Sequence, residues 1–234
     1  MLTYKEKPDS EEEILNVFHP LVKKWFFSKF KELSISQRYA LLEIHERKNI
    51  LISAPTGSTK TLTAFLSILN ELVGLSEKNA LEDRVYCIYI SPLKALNYDI
   101  EVNLKTPLKE MEELYGKKLG IRVGVRTGDT TASDKAKMLA KPPHILITTP
   151  ESLGIMLSAI KFAKLIGEID WCVVDEIHAL AENKRGVHLS LSLERLQKGR
   201  YFTRIGLSAT IAPIDEIAHF LAGYESSSKE RDCV

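Results

Sequence analysis

The sequence predicts an α/β fold in which a parallel β-sheet carries helices on both faces. Along most of the 234 residues, short apolar runs rich in β-branched residues alternate with segments of helical periodicity. The runs are nearly continuous in hydrophobic character, as expected for strands covered on both faces. Such alternation favours parallel strands joined by right-handed crossovers. Ligands of these sheets bind beyond the carboxyl ends of the strands, and the polar motifs of this chain follow those ends.

Six runs are predicted as strands: Asn49–Ser53, Arg84–Ser91, Gly120–Arg126, His144–Thr149, Asp170–Asp175 and Thr203–Ser208. The helical segments between and after them are Lys60–Leu72, Leu93–Tyr115, Thr131–Leu139, Glu151–Ser158, Val187–Leu196 and Ile214–Leu221. Earlier helical spacing covers Glu11–Val17, Pro20–Phe30 and Ser36–Glu46. We therefore expect a short helical N-terminal extension over residues 1–35, one α/β domain over residues 36–223 with a surface loop at Gly74–Asp83, and a frayed polar tail over residues 224–234.

Composition is that of a soluble globular protein, with 44% hydrophobic and 27% charged residues. The 32 Lys and Arg residues against 31 Asp and Glu residues give no overall sign of a nucleic-acid binder, although local patches on a neutral protein can bind phosphates. Three widely spaced cysteines fit neither a disulfide framework nor a zinc site, which favours a reducing, cytoplasmic location. Residues 1–10 are too polar for a secretory signal or a transmembrane segment.

The segment after the first predicted strand nearly matches a phosphate-binding P-loop. The general pattern is a small residue, four variable residues, glycine, lysine, and then serine or threonine. Backbone N–H groups of such a strand-to-helix loop surround phosphate oxygens, aided by the helix N-terminus. Lys60 is expected to neutralise the β- and γ-phosphates of ATP, and the Thr61 hydroxyl to bind Mg²⁺. The predicted ATP-binding residues of the loop are Ala54, Pro55, Thr56, Gly57, Ser58, Thr59, Lys60 and Thr61.

Thr59 occupies the position where the pattern has glycine. Glycine there permits close approach of a phosphate and a positive φ. If the loop needs a positive φ at position 59, a non-glycine residue costs about 1–2 kcal/mol and a β-branched residue more. If it needs only a negative φ, the cost is crowding near the phosphate. We therefore expect Thr59 to weaken nucleotide binding without abolishing it.

Two adjacent carboxylates, Asp175 and Glu176, follow the apolar run Trp171–Val174. By themselves they would be typical of a helix N-terminus. Next to a P-loop, the first carboxylate is expected to hold Mg²⁺, partly through water, and the second to orient or activate the attacking water. Lys60, Asp175 and Glu176 are therefore the predicted catalytic residues, and Thr61 and Asp175 the predicted metal ligands.

A P-loop, then Asp175-Glu176-Ile177-His178, then Ser208-Ala209-Thr210 resembles the first RecA-like domain of a superfamily 2 helicase. Further motifs narrow this resemblance to the large helicase-related family, which comprises ATP-dependent DNA helicases linked to repair. The matching segments are Tyr89–Asp99, Arg126–Thr130, Pro143–Leu153, Val174–Leu180 and His188–Leu196. The resemblance spans roughly residues 36–221 and implies a RecA-like P-loop domain that uses ATP and Mg²⁺.

The resemblance also implies residue roles. Gln37 matches a glutamine that reads adenine, which suits an amide that both donates and accepts hydrogen bonds. His178 would couple the ATP site to the segment of Ser208, Ala209 and Thr210. Loops that hold the sugar–phosphate chain without reading its sequence would contain Ser91, Pro92, Leu93, Lys94, Thr127, Gly128, Asp129, Thr149, Pro150, Glu151 and Ser152.

Helicases of this type close two RecA-like domains on ATP and on the nucleic-acid strand, and the second domain supplies an arginine finger. We expect that second domain to lie outside these 234 residues, and the isolated chain to show little ATPase activity and no processive unwinding. The expected partner is single-stranded or tailed DNA, with RNA left open, and no membrane. Two alternatives remain: a nucleic-acid-binding module with a degenerate P-loop, and a P-loop kinase or NTPase that acts on a small substrate.

Overall fold

The structure, a computed structural model, describes residues 1–55, 59–92, 100–181, 183–198, 200–210, 213–226 and 229–234. Within these residues the main sheet has the strand order β1-β6-β5-β2-β4-β3, and every neighbouring pair is parallel. The strands are β1 (Ile50–Ser53), β2 (Cys87–Ile90), β3 (Val123–Arg126), β4 (Ile145–Thr148), β5 (Trp171–Val174) and β6 (Thr203–Ser208). The prediction of a parallel α/β sheet is confirmed.

Helices cover both faces of this sheet. They are α1 (Glu11–Val17), α2 (Pro20–Lys29), α3 (Ile35–His45), α4 (Lys60–Glu77), α5 (Thr106–Tyr115), α6 (Ala132–Ala140), α7 (Pro150–Ser158), α8 (Ile160–Ile166), α9 (Ile177–Ala181), α10 (Lys184–Gln197) and α11 (Ile214–Ala222). Alternate strand residues face opposite sides. Tyr89 and Val173 therefore join α1–α5 in one hydrophobic core, whereas Ile88 and Val174 join α7–α11 in the other.

Several boundaries differ from the sequence prediction. Helix α4 continues through Gly74 to Glu77, so the expected surface loop begins later. Of the helix predicted over Leu93–Tyr115, residues 93–99 lie outside the described part, and the remainder forms a π-helical turn, Glu101–Lys105, followed by α5. Helices α8 and α9 were not predicted, and the five residues of α9 are too few to show a clear period.

The N-terminal extension is packed against the main domain. Ser10 and Glu13 form a capping box that starts α1, and Pro20 occupies the first turn of α2. Buried Trp25 donates its indole N–H to Glu110 of α5 at 2.8 Å. Buried residues of α1 and α2 pack in the same hydrophobic core as those of α3–α5. The extension therefore contributes to the stability of the domain.

The described residues after Gly223, 224–226 and 229–234, make regular contacts with the domain, in contrast to the frayed tail that the polarity of the segment predicts. Two short strands, Tyr224–Ser226 and Lys229–Glu230, pair antiparallel. Arg231 forms a bidentate ion pair with Glu194 of α10, at 2.6 and 2.8 Å. Val234 then exchanges backbone hydrogen bonds with Asn49 and Leu51 along the open edge of β1. These long-range partners compensate for the low hydrophobicity of the segment, which is why local composition did not reveal them.

The three cysteines, Cys87, Cys172 and Cys233, are buried and unpaired. Burial raises the pKa of the Cys172 thiol to about 12, so it packs as a small hydrophobic group. Among the helices of the described residues, none combines the length and hydrophobicity needed to cross a bilayer.

His144, which precedes β4, is expected to make folding stability depend on pH. Its Nδ1 accepts the backbone N–H of Arg122 at 3.1 Å, and burial, reinforced by the Arg122 charge, lowers its pKa to about 4. Below pH 6.5 the unfolded chain gains a proton at this residue that the folded chain gains only near pH 4. Stability is therefore fully present above pH 6.5 and is lost on acidification towards pH 4, by up to about 3 kcal/mol. Urea melts of wild type and His144→Gln over pH 4–8 test this; equal pH slopes would contradict it.

Candidate nucleotide and nucleic-acid sites

Lys60, the P-loop lysine, begins α4 and lies almost fully buried at the carboxyl end of β1. Its ammonium donates to the backbone carbonyls of Ala54 and Pro55 at 2.6 and 2.8 Å. Burial lowers the pKa of Lys60, and the nearby charges of Glu176 and Asp175 act in the opposite direction. The lysine therefore faces both predicted catalytic carboxylates across the site. Of the remaining loop residues, Thr56, Gly57 and Ser58 lie outside the described part of the chain.

Thr59 has the backbone conformation that the sequence identified as costly for a β-branched residue. Its φ is 62° and its ψ 17°, in the left-handed region, and it immediately precedes α4. The Thr59 hydroxyl lies 2.9 Å from that of Ser34, and its carbonyl accepts both the N–H and the hydroxyl of Thr63. Contacts on both sides thus hold Thr59 in a strained conformation.

Gln37, the predicted adenine-reading residue, is buried in the first turn of α3. Its side-chain oxygen accepts the N–H of Ser34 at 2.8 Å, and its own N–H donates to the Ser34 hydroxyl, which completes a capping box. Since Ser34 also contacts Thr59, the amide is connected to the P-loop through one serine. Adenine recognition by Gln37 stays a prediction, and with the carbonyl oxygen already engaged it would use the side-chain NH₂ group.

Asp175 follows β5 and is held at both carboxylate oxygens. Its Oδ1 accepts the backbone N–H of Glu176 at 2.9 Å, and its Oδ2 accepts the hydroxyl of Tyr89 in a short hydrogen bond. Tyr89 belongs to β2, the neighbouring strand, and its ring stacks on Phe65 of α4. Sequence reasoning did not identify Tyr89 as part of the site, because a tyrosine in an apolar strand run is typical of core packing.

Glu176, His178 and the end of β6 form one connected network. His178 Nδ1 lies 3.2 Å from the Ser208 hydroxyl and accepts the backbone N–H of Ala209 at 3.4 Å. In the neutral ring the proton is thereby assigned to Nε2, which donates to Glu176 Oε2 at 3.2 Å. The structure thus brings His178 into contact with Ser208 and Ala209, while Thr210 is exposed beyond them, and the coupling role of these residues stays a prediction.

The same network reaches the P-loop strand, which sequence reasoning did not foresee. Ser53 of β1 donates its hydroxyl to the Ala209 carbonyl at 3.1 Å, and the Ala54 N–H donates to the Ser208 carbonyl at 3.2 Å. Strands β1 and β6 are neighbours, so the start of the P-loop and the Ser208–Ala209 peptide lie side by side. Displacing either segment would displace the other.

The predicted nucleic-acid residues lie on the other half of the same sheet edge. Ser91 follows β2 and is buried, with its N–H donated to the Thr148 carbonyl at 3.1 Å. Thr127 follows β3, and its N–H donates to the Thr130 hydroxyl, forming a tight turn with Gly128 and Asp129 exposed. Pro92 is also described, whereas Leu93 and Lys94 are not.

Helix α7 opens at this half of the edge. Thr149 caps it by accepting the N–H of Ser152 at 3.3 Å, with Pro150 at the first helical position. Glu151 is exposed and pairs with Arg185 of α10 at 2.6 Å, and this hydrogen bond lowers the pKa of the carboxyl group. The pairing directs the negative charge of Glu151 towards α10, which leaves the helix N-terminus better suited to an anion.

The residues around Asp175 suit Mg²⁺ better than a metal held entirely by protein. Among the described residues, no group of three or more His, Cys, Asp or Glu side chains converges. One buried carboxylate and the hydroxyl of Thr61, at the start of α4, are hard oxygen donors. Mg²⁺ commonly takes only one or two protein oxygens and completes its shell with water and substrate phosphates.

Sheet order, P-loop position and the carboxylate pair together define a P-loop domain of the RecA-like type. The chain belongs to the DEAD/DEAH box helicase family, whose sequence profile matches residues 34–217.

Named relatives agree with this assignment and with the resemblance to the large helicase-related family. The chain is 54% identical to the ATP-dependent helicase Lhr-Core of Methanothermobacter thermautotrophicus, over 100% of this chain and 28% of that protein. It is 57% identical to the ATP-dependent helicase Lhr-Core of Methanocaldococcus jannaschii, over 98% of this chain and 27% of that protein. The structure is similar to that of Mycobacterium smegmatis helicase Lhr bound to ssDNA and AMP-PNP, with a TM-score of 0.80, 41% identity, and coverage of 94% of this chain and 28% of that one. The chain therefore spans little more than a quarter of the length of these relatives.

Proposed function

We propose that this chain is the first RecA-like motor domain of an ATP-dependent DNA helicase. In the proposed complex, Mg²⁺-ATP lies at the ends of β1, β5 and β6, and a single strand lies across the ends of β2, β4 and β3. The observation that carries the proposal is a division of one sheet edge: the P-loop, Asp175–Glu176 and Ser208–Thr210 segments follow β1, β5 and β6, whereas the segments expected to hold a strand follow β2, β3 and β4. The relative bound to ssDNA and AMP-PNP supports the same pair of ligands.

Each residue has a role that its geometry supports. Lys60 leaves the carbonyls of Ala54 and Pro55 to neutralise the phosphates of ATP, and Glu176 orients the attacking water. Thr61 and Asp175 hold Mg²⁺, which would supply charge neutralisation at the phosphates. Because His178 donates to Glu176 and accepts from Ala209, the position of the catalytic carboxylate depends on the end of β6.

In this proposal, ATP-dependent unwinding requires a longer polypeptide that contains this domain. Closure of a second RecA-like domain would supply the arginine that stabilises charge on the γ-phosphate. The coverage of 28% of the Lhr-Core relative leaves room for such a domain in the longer protein. We expect the isolated chain to bind its ligands but to hydrolyse ATP slowly.

Calorimetric titration of Mg²⁺-ATP into this chain tests the nucleotide half of the proposal. Lys60→Met is expected to weaken binding about 10–100-fold, because a hydrogen bond to a charged group contributes about 1.5–3 kcal/mol. Lys78→Met, at the exposed C-terminal end of the same helix, removes an equal charge far from the loop and should leave affinity unchanged. Equal affinities for wild type and Lys60→Met would contradict the assignment.

Fluorescence anisotropy with labelled oligo-dT and oligo-U of equal length tests the nucleic-acid half and separates DNA from RNA. A second candidate function, a nucleic-acid-binding module with a degenerate P-loop, is favoured by the left-handed conformation of Thr59. That module would bind an oligonucleotide without measurable Mg²⁺-ATP binding in calorimetry. A P-loop kinase acting on a small substrate would bind Mg²⁺-ATP but neither oligonucleotide.

A further inference from the structure

Arg126, the last residue of β3, is a buried cation with too few partners. Only 5% of its surface is exposed. Its Nη1 donates to the Thr127 carbonyl in a short hydrogen bond, and its guanidinium carbon lies 5.7 Å from the ring centre of Phe162 in α8. Within the described residues, the buried Nε has no hydrogen-bond partner. Burial alone lowers its pKa.

Another buried arginine of this sheet shows what a structural arginine looks like in this protein. Arg204 of β6 is 1% exposed, and its guanidinium bonds to the Gln197 amide and the Leu221 carbonyl and pairs with Glu194 at 3.1 Å. Such partners offset the cost of removing a charge from water. Among the described residues, the Arg126 guanidinium has one hydrogen-bond acceptor, the Thr127 carbonyl. Its burial is therefore costly in the protein alone, and an anionic ligand would remove that cost.

The position of Arg126 indicates the ligand. Arg126 lies opposite Thr148 in the β3–β4 register, and the Thr148 hydroxyl donates to its carbonyl at 2.7 Å. The next residue on each strand, Thr127 or Thr149, begins one of the two segments expected to hold a nucleic-acid backbone. The Arg126 guanidinium, which lies against the Thr127 carbonyl at the start of the first segment, presents a planar set of donors whose geometry matches phosphate oxygens.

We propose that Arg126 binds a backbone phosphate of the single strand, between the Thr127–Asp129 turn and the N-terminus of α7. This inference rests on the proposed function, and it gives a role to Arg126, which belongs to a matching segment but is not among the residues expected to hold the strand. The bound phosphate accepts from the guanidinium, while Nη1 retains its bond to the Thr127 carbonyl and orders the turn. Arg126 thus positions the turn and contacts the strand with one group.

The test measures the affinity of this chain for a fluorescein-labelled 20-residue oligo-dT over 0.05–0.3 M salt. Loss of one phosphate contact from a single-stranded complex lowers the slope of log K against log salt by about 0.7, which corresponds to about fivefold weaker binding at 0.1 M. Arg126→Met is expected to show that change, and Arg126→Lys to keep most of the slope because it keeps the charge. Lys109→Met, an exposed cation on α5, is the matched control for net charge and should leave the slope unchanged.

Thermal melting without DNA separates a ligand-binding role from a structural one. Removal of an uncompensated buried charge should leave the melting temperature of Arg126→Met equal to or above that of wild type. The inference would be overturned if Arg126→Met melted at a lower temperature, failed to fold, or kept the wild-type salt slope. In each of these cases, oligo-dT binding by the wild-type chain would still support the proposed function. Absence of oligo-dT binding by wild type would overturn both.

Discussion

Replacing Thr59 with glycine is expected to tighten Mg²⁺-ATP binding about tenfold, a gain of about 1.4 kcal/mol. Thr59 lies at φ 62° with a β-branched side chain, and its hydroxyl is engaged by Ser34 at 2.9 Å. Glycine removes the methyl and hydroxyl groups from the position where loop N–H groups must approach the phosphates. Calorimetry on the wild-type and variant chains measures the difference.

The melting temperature of Thr59→Gly should change little, which distinguishes a binding effect from general stabilisation. Relief of left-handed strain should raise the free energy of unfolding by about 1–2 kcal/mol. The greater freedom of glycine in the unfolded chain lowers it by about 0.4–1 kcal/mol, and loss of the Ser34 contact lowers it by about 0.5–1.5 kcal/mol. Asn79→Gly is the matched control, since Asn79 also has positive φ, 53°, but lies beyond the far end of α4. Equal ATP affinity in Thr59→Gly and wild type would show that the threonine does not impair the loop.

Replacing Glu176 with glutamine is expected to lower the rate of ATP hydrolysis about 10²–10⁴-fold while preserving nucleotide binding. In the wild-type chain, His178 Nε2 lies 3.2 Å from Glu176 Oε2. A glutamine oxygen can accept the same hydrogen bond from the Nε2–H group, so the network to Ala209 is retained. The backbone at Glu176, with φ 49°, is unchanged by this isosteric replacement. The rate is measured in a single turnover on the two-domain protein, where the proposed catalytic site is complete.

Glu216→Gln supplies the control for this loss of negative charge. Glu216 is exposed in the first turn of α11. The Glu216→Gln variant should therefore hydrolyse ATP at the wild-type rate. Calorimetry on both variants checks that Mg²⁺-ATP affinity is retained. Hydrolysis by Glu176→Gln within a few-fold of wild type would exclude Glu176 as the residue that activates water.

Much of the fold and of the nucleotide site follows from local sequence. Each strand of the main sheet is a short apolar run, and polar residues follow directly, so the period of the pattern places both. Asp175 and Glu176 could be predicted as the metal-binding and water-activating residues because adjacent carboxylates at the end of a buried strand, beside a P-loop, suit those roles. The residue type at position 59 predicted either strain at positive φ or crowding at negative φ, and the φ of 62° selects the first.

Contacts between distant segments could be decided only by the tertiary structure. The Tyr89 hydroxyl reaches Asp175 because β2 and β5 are neighbours, and Ser53 reaches Ala209 because β1 pairs with β6. The tail beyond Gly223 is ordered by Glu194 and by the open edge of β1, which no local pattern encodes. Sequence periodicity reports which face of an element is apolar, and so it determined the strands and most of the helices, and with the strands the motif that follows each of them. Strand order depends on the summed packing of all elements, and therefore the tertiary structure alone decided which motifs share a site and which polar groups, Arg126 among them, are buried without enough partners.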